Sequence, residues 1–136
     1  MTIYAQGEFD AYVATLTGGR TVDQWESRVA KVGDKVFAAL SGASAEAPQI
    51  VVKVDPGEFD FLTTLPGVVQ APYFAKGHWI AIREGSAMPD DEVRSCIADS
   101  WAAVAAKLTR KVRAELGIVL PAPTGSTQDT SGTTVG

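Results

Sequence analysis

The one histidine of the chain, His78, lies in its most chemically loaded stretch: Ala71-Pro72-Tyr73-Phe74-Ala75-Lys76-Gly77-His78-Trp79-Ile80-Ala81-Ile82. Tyr73, Lys76, His78 and Trp79 bring a phenol, an ammonium, an imidazole and an indole together at the mouth of a strand-like run. An imidazole there can bind an anion or move a proton near neutral pH, and the four side chains together can line a small-molecule pocket. The plainer reading is a structural hydrogen bond at the start of a strand. A lone histidine has no histidine or cysteine partner for a metal site, and only carboxylates can complete one. Neither a metal nor a cofactor is expected.

Lys31, Lys35, Lys53 and Lys76 form a second candidate set, for nucleic acid. Lys31 and Lys35 flank Gly33-Asp34, and Lys76 sits in a second turn. Two basic hairpins side by side make wings that grip phosphates. Solvated lysines also protect sheet edges from pairing with other chains. Trp25, Phe37, Tyr73 and Trp79 can interleave as stacking groups, although aromatics at such positions are more often core. Lys107, Arg110, Lys111 and Arg113 read as cations at the negative end of a helix dipole. Cys96 reads as a buried, inert thiol. Ser95, Asp99 and Ser100 share one helical turn, which cannot assemble a nucleophile, a base and an oxyanion hole. With no glycine-rich phosphate loop either, the expectation is a protein without catalytic residues that is not an enzyme.

The elements that must position these groups follow from periodicity. Phe9, Tyr12, Val13 and Leu16 recur at helical spacing, and Gly18-Gly19 stops that helix. Trp25 to Val32 and Lys35 to Leu40 read as a hairpin around Gly33-Asp34, with glycine first as a type II′ turn prefers. Ser41 to Pro48 is a small-residue loop. Gln49 to Val54 is a third strand, β-branched almost throughout. Asp55-Pro56-Gly57-Glu58 predicts a capped helix to about Leu65 that buries Phe59, Leu62 and Phe61. Val68 to Phe74, crossed by Pro72, is a fourth strand at an edge or bulge. His78 to Arg83 is a fifth, with Trp79, Ala81 and Arg83 on one face and His78, Ile80 and Ile82 on the other. Val93, Ile97, Trp101, Val104, Leu108 and Val112 then predict one long helix. The order α-β-β-β-α-β-β-α with short connections predicts an α+β, two-layer domain over residues 1–118. It has a five-stranded antiparallel sheet, helices on one face, and the other face open to water or a partner. Residues 119–136, rich in proline, glycine, serine and threonine, are expected to be a disordered tail.

Composition narrows the class. The 136 residues carry a net charge of −4, against general nucleic-acid binding but not against a local basic face. One cysteine excludes an internal disulfide and fits a reducing compartment. No apolar run approaches the length of a membrane span and no signal peptide is visible, so a cytoplasmic protein with no membrane contact is expected.

Four blocks carry a resemblance. They are Lys31-Val32-Gly33-Asp34-Lys35-Val36-Phe37-Ala38, Val52-Lys53-Val54-Asp55-Pro56, Pro66-Gly67-Val68 and Pro72-Tyr73-Phe74-Ala75-Lys76-Gly77-His78-Trp79-Ile80. With the helix around Ser100-Trp101, they resemble the MmcQ/YjbR family over roughly Trp25 to Leu116. The resemblance implies a fold like frataxin and the type III secretion chaperones, and a DNA-binding role through a double-wing surface. The chain departs from the family pattern in two places. Leu16-Thr17-Gly18-Gly19 replaces a Leu-Pro-Gly turn, and Phe74-Ala75 stands where histidine and asparagine often follow the tyrosine, which points to a lost or altered ligand. The readings are therefore a binding module for DNA, a protein-interaction or chaperone-like module that forms a homodimer, or a small-molecule binder around Tyr73–Trp79. Frataxin-like iron binding would need an acidic helix ridge, and Glu8, Asp10, Asp90, Asp91 and Glu92 are too scattered to make one.

Overall fold

The β-branched runs of the sequence pair into one antiparallel sheet, seen in a computed structural model that describes residues 2–24, 27–42, 48–72 and 74–118. The strands are β1 (Arg20–Gln24), β2 (Ser27–Val32), β3 (Lys35–Ser41), β4 (Gln49–Lys53), β5 (Val68–Gln70) and β6 (Trp79–Arg83). They lie in the order β1-β2-β3-β4-β6-β5, every neighbour antiparallel. Four helices accompany them: α1 (Gln6–Ala14), α2 (Pro56–Leu62), α3 (Asp90–Ala105) and α4 (Arg110–Leu116). The α+β class and the antiparallel sheet agree with the sequence reading. The sheet has six strands rather than five. The extra one, β1, has a single apolar residue, Val22, and lies at an edge, where polar side chains are tolerated and the alternation signal is weak.

The main core fills the space between the helices and one face of the sheet. Phe9 and Val13 of α1, Phe37 and Leu40 of β3, Ile50 and Val52 of β4, Ile80 and Ile82 of β6, and Val93 and Ile97 of α3 are all buried there. Around this core the polar groups are paired. The Arg28 guanidinium donates to both carboxylate oxygens of Asp10, at 2.9 and 3.0 Å, and to Asp23. The Asp90 carboxylate accepts from the Ile3 amide at 2.9 Å and from Arg94 at 2.8 Å. Burial opposes its charge, but the Ile3 amide, Arg94 and Thr2 together hold its pKa below the usual carboxylate range.

Other expectations are corrected. The Gly33-Asp34 turn has positive φ at both residues, 54° and 67°, which is type I′ and not II′. A Cβ at Gly33 would lie 2.9 Å from Leu108 Cδ1, so the end of that leucine side chain would have to shift. The single long helix is two. α3 ends at Ala105, and Thr109 caps α4 by accepting the Val112 amide at its side chain. Arg113 folds back to donate to the carbonyls of Ala106 and Leu108, so one cation of the basic cluster does serve a helix end, across the break. α2 stops at Leu62 and buries none of its residues. Phe59 and Leu62 rest partly buried on the core, while Phe61 is 66% exposed. Asp55 takes the cap position, followed by Pro56 at the start of the helix, but makes no side-chain hydrogen bond there. The predicted fourth strand ends at Gln70, ahead of Pro72. The expected tail, Tyr73 and Trp25 lie outside the described residues.

Where β2 meets β3 the register slips. Ala30 faces Ala38 and Lys31 faces Val36, so Phe37 has no opposite residue and forms a β-bulge. Phe37 and Ala38 both turn into the helix-side core, and Val36 returns to the other face. The bulge frees the Phe37 carbonyl from the ladder. Ser100 of α3, fully buried, satisfies it: its hydroxyl donates to Phe37 O at 2.5 Å and accepts the Lys53 amide at 2.9 Å. Of Ser95, Asp99 and Ser100, the last spends its buried hydroxyl as a structural clasp.

Candidate functional site

The second face of the sheet carries no helix among the described residues. Register alone defines its surface. Val22, Val29, Ala39, Val51, Ala81 and Val69 face one another in turn across all six strands. One step along the strands, about 7 Å away, runs a polar row of Gln24, Ser27, Ser41, Gln49 and Arg83. Val29, Ala39, Val51, Ala71 and Ala81 form a small second core here, on which Val22, Val36, Phe74 and Trp79 pack partly buried.

The loop between β5 and β6 makes one wall of this surface. Gln70 holds it: its amide nitrogen donates to the carbonyls of Ala71 and Phe74, and its oxygen accepts the Gly77 amide at 3.0 Å. The Phe74 and Trp79 rings meet at 4.7 Å between centroids with a 39° tilt, within the usual range for an aromatic pair. Between this loop and the strands is a groove of about 680 Å³ lined by Ser27, Val29, Val36, Ala39, Ser41, Gln49, Val51, Pro72 and Phe74.

The residues singled out in the sequence scatter around this groove. Trp79 lies on the face beside Phe74, as its strand position predicts. His78 is exposed in the turn and not in the strand. Its carbonyl accepts the Val54 amide at 2.8 Å, so the structural hydrogen bond at this residue comes from its backbone. Lys76 is exposed in the same turn. Of the four lysines, Lys31 lies on this second face by alternation, opposite Val36. Lys35 faces Val32 and so has the helix-side parity. Lys53 pairs with Trp79 but lines a helix-side hollow with Glu58, Cys96 and Asp99, where burial and then the neighbouring Lys107 depress its pKa. The strand directions do bring the two turns that carry Lys35 and Lys76 to the same end of the sheet, on either side of β4. The tip of the first is partly neutralised, with Arg20 and Asp34 paired at 2.6 Å. No group of three potential metal ligands is found among the described residues, and none of their helices is long and apolar enough to cross a membrane. Cys96 is half-buried; burial pushes its thiol up to about 11, which favours the protonated form.

The groove itself was not anticipated. Ser27, Ser41, Gln49 and Gln70 are ordinary polar residues, and only strand pairing makes neighbours of the first three.

The YjbR family profile matches residues 14–103. The chain belongs to the YjbR family. No match is found among curated proteins. Solved structures agree on the fold. A Deinococcus radiodurans protein with a DUF419 domain superposes with a TM-score of 0.76 at 19% identity, over 91% of this chain and 96% of its own. A Pseudomonas syringae protein matches in a crystal structure (TM-score 0.60, 24% identity, 70% of this chain and 94% of its own). A Pseudomonas syringae solution NMR structure gives 0.58 at 24% identity over 72% and 90%. In this YjbR domain the aromatic Phe74 lines the groove, at the position where the resemblance leads one to expect a polar group.

Proposed function

We propose that this YjbR domain is a cytoplasmic, non-enzymatic binding module whose partner lies on the second face of the sheet, which carries no helix among the described residues, and that the partner is DNA. One observation carries the reading. In a chain of net charge −4, every charged position among the described residues that strand alternation assigns to that face is basic: Arg20, Lys31, Lys53 and Arg83. Arg20 is engaged by Asp34 and Lys53 lines a helix-side hollow, so Lys31 and Arg83 are the cations that oversee the face, with Lys35 and Lys76 at its rim. Acidic residues concentrate on the helices and turns. Charge segregation of this kind supports an anionic partner, since local charge distribution and not net charge sets attraction.

Fluorescence anisotropy of a short labelled duplex at low and moderate salt tests it. Binding should weaken steeply with salt, and Lys31→Ala and Arg83→Ala should each lower the slope by about one. No binding at low salt would reject DNA. A second reading, a protein partner or a second copy of the chain, is favoured by the apolar row through Val29, Ala39 and Val51. In that case association would persist at high salt and would register as a mass increase in sedimentation.

A further inference from the structure

The groove has a chemical polarity of its own. Its floor is Val29, Ala39 and Val51, adjacent across β2, β3 and β4. Ala39 is the short residue of the three, and it leaves the hollow between its two valine neighbours. Pro72 and Phe74 wall the loop side. Next to the floor on the same three strands stand Ser27, Ser41 and Gln49, neutral groups that can each donate and accept. Among the described residues none of these three side chains makes a hydrogen bond. The next residue in that row, opposite Gln49 on β6, is Arg83. Three strands span about 10 Å at the usual spacing, and about 680 Å³ falls in the range of small-molecule sites, about 300–1,000 Å³. An apolar floor, an aromatic wall and one polar margin are what such sites combine.

The geometry points to a binding site for a small anionic amphiphile. Its apolar body rests on Val29, Ala39 and Val51 against Phe74. Its acid group lies along Ser27, Ser41 and Gln49, toward Arg83. Charge complementarity selects the acid. The polar row contains Arg83 and no carboxylate among its described members, so a carboxylate or sulfonate gains at that margin and an ammonium does not. A molecule of bounded length suits a hollow walled by the loop at one side. The inference shares Arg83 with the DNA reading but rests on the groove and does not require DNA binding.

The test is a fluorescence titration of the native full chain with 8-anilinonaphthalene-1-sulfonate, an aromatic body carrying one anionic group. Saturable, one-site enhancement is expected, and decanoate should displace the dye at about tenfold lower concentration than decanol does. Ala39→Phe, which fills the hollow from the floor, should abolish enhancement while near-ultraviolet circular dichroism stays native. Arg83→Gln, at an exposed position, should keep dye binding but bring decanoate and decanol together. Absence of enhancement by the native chain overturns the site, as does unchanged binding in folded Ala39→Phe. Should Ala39→Phe fail to fold, Arg83→Gln decides: an undiminished preference for decanoate over decanol overturns the assignment of the acid margin, and its loss supports it.

Discussion

The two faces of this sheet come from the same strands and alternate residue by residue, yet they are finished differently. On the helix side Phe37, Leu40, Ile50, Val52, Ile80 and Ile82 meet apolar residues of α1 and α3, and their ionic neighbours are paired: Arg28 with Asp10 and Asp23, Asp90 with Arg94. On the other side the central positions are smaller, Ala39 and Ala81 among them. Their cover is a loop pinned by Gln70 and a Phe74–Trp79 pair. The first face is large side chains filling a closed volume. The second is small side chains leaving a hollow. The difference shows that residue volume, more than hydrophobicity, separates the face that holds the fold from the face that can hold something else, since closely packed interiors leave few voids.

Several substitutions sharpen that contrast. Phe37→Ala or Ile97→Ala empties the closed face and should cost about 3–5 kcal/mol by urea unfolding, whereas Ala39→Phe on the second face should cost about 1–3 kcal/mol. Equal losses would break the comparison. Ser100→Ala leaves the Phe37 carbonyl and the Lys53 amide buried without their partner, and a loss of about 2–3 kcal/mol is expected from unsatisfied groups of this kind. A smaller, pH-dependent effect comes next. Burial pushes the Tyr4 phenol up to about 12 from a usual value of 10.0. The folded state therefore favours the neutral form. Its contribution is complete below pH 10 and is lost as pH rises toward 12. The melting temperature should fall over that window, and Tyr4→Phe should flatten the fall. Asp90 has the opposite sign: its lowered pKa gives stability that is present at neutral pH and lost as pH drops below the usual carboxylate value of 3.8. Smallest of all, Phe61→Ser on the exposed side of α2 should change stability by no more than about 0.5 kcal/mol.

Most of the architecture was legible because burial writes itself into period. The β-branched run Gln49–Lys53 and the stripe from Val93 to Val104 each name their element. Three features were hidden for identifiable reasons. β1 has one apolar residue, too few for alternation to show. The break after Ala105 is invisible because Leu108 and Val112 keep the apolar spacing on both sides of it, so the stripe runs through a gap in the hydrogen bonding. The bulge at Phe37 leaves no composition signal, since it depends on what lies opposite. The candidate site was legible only at its edge. Trp79 and its loop were marked by unusual residue types, but the groove is made of Ser27, Ala39, Ser41, Gln49 and Val51. These are common residues on three strands, and pairing alone assembles them. His78 drew attention by being unique, and uniqueness is a property of composition rather than of geometry.

The clasp at Ser100 joins the two faces through the backbone. Val36 reaches the groove because β3 takes one extra residue at Phe37, and the Phe37 carbonyl is held by a hydroxyl of α3 that also holds the Lys53 amide. Ser100 therefore ties α3 to the bulge that decides which residues of β3 face the groove. Solvent exchange of the Lys53 amide hydrogen would report on the seating of α3 against that bulge.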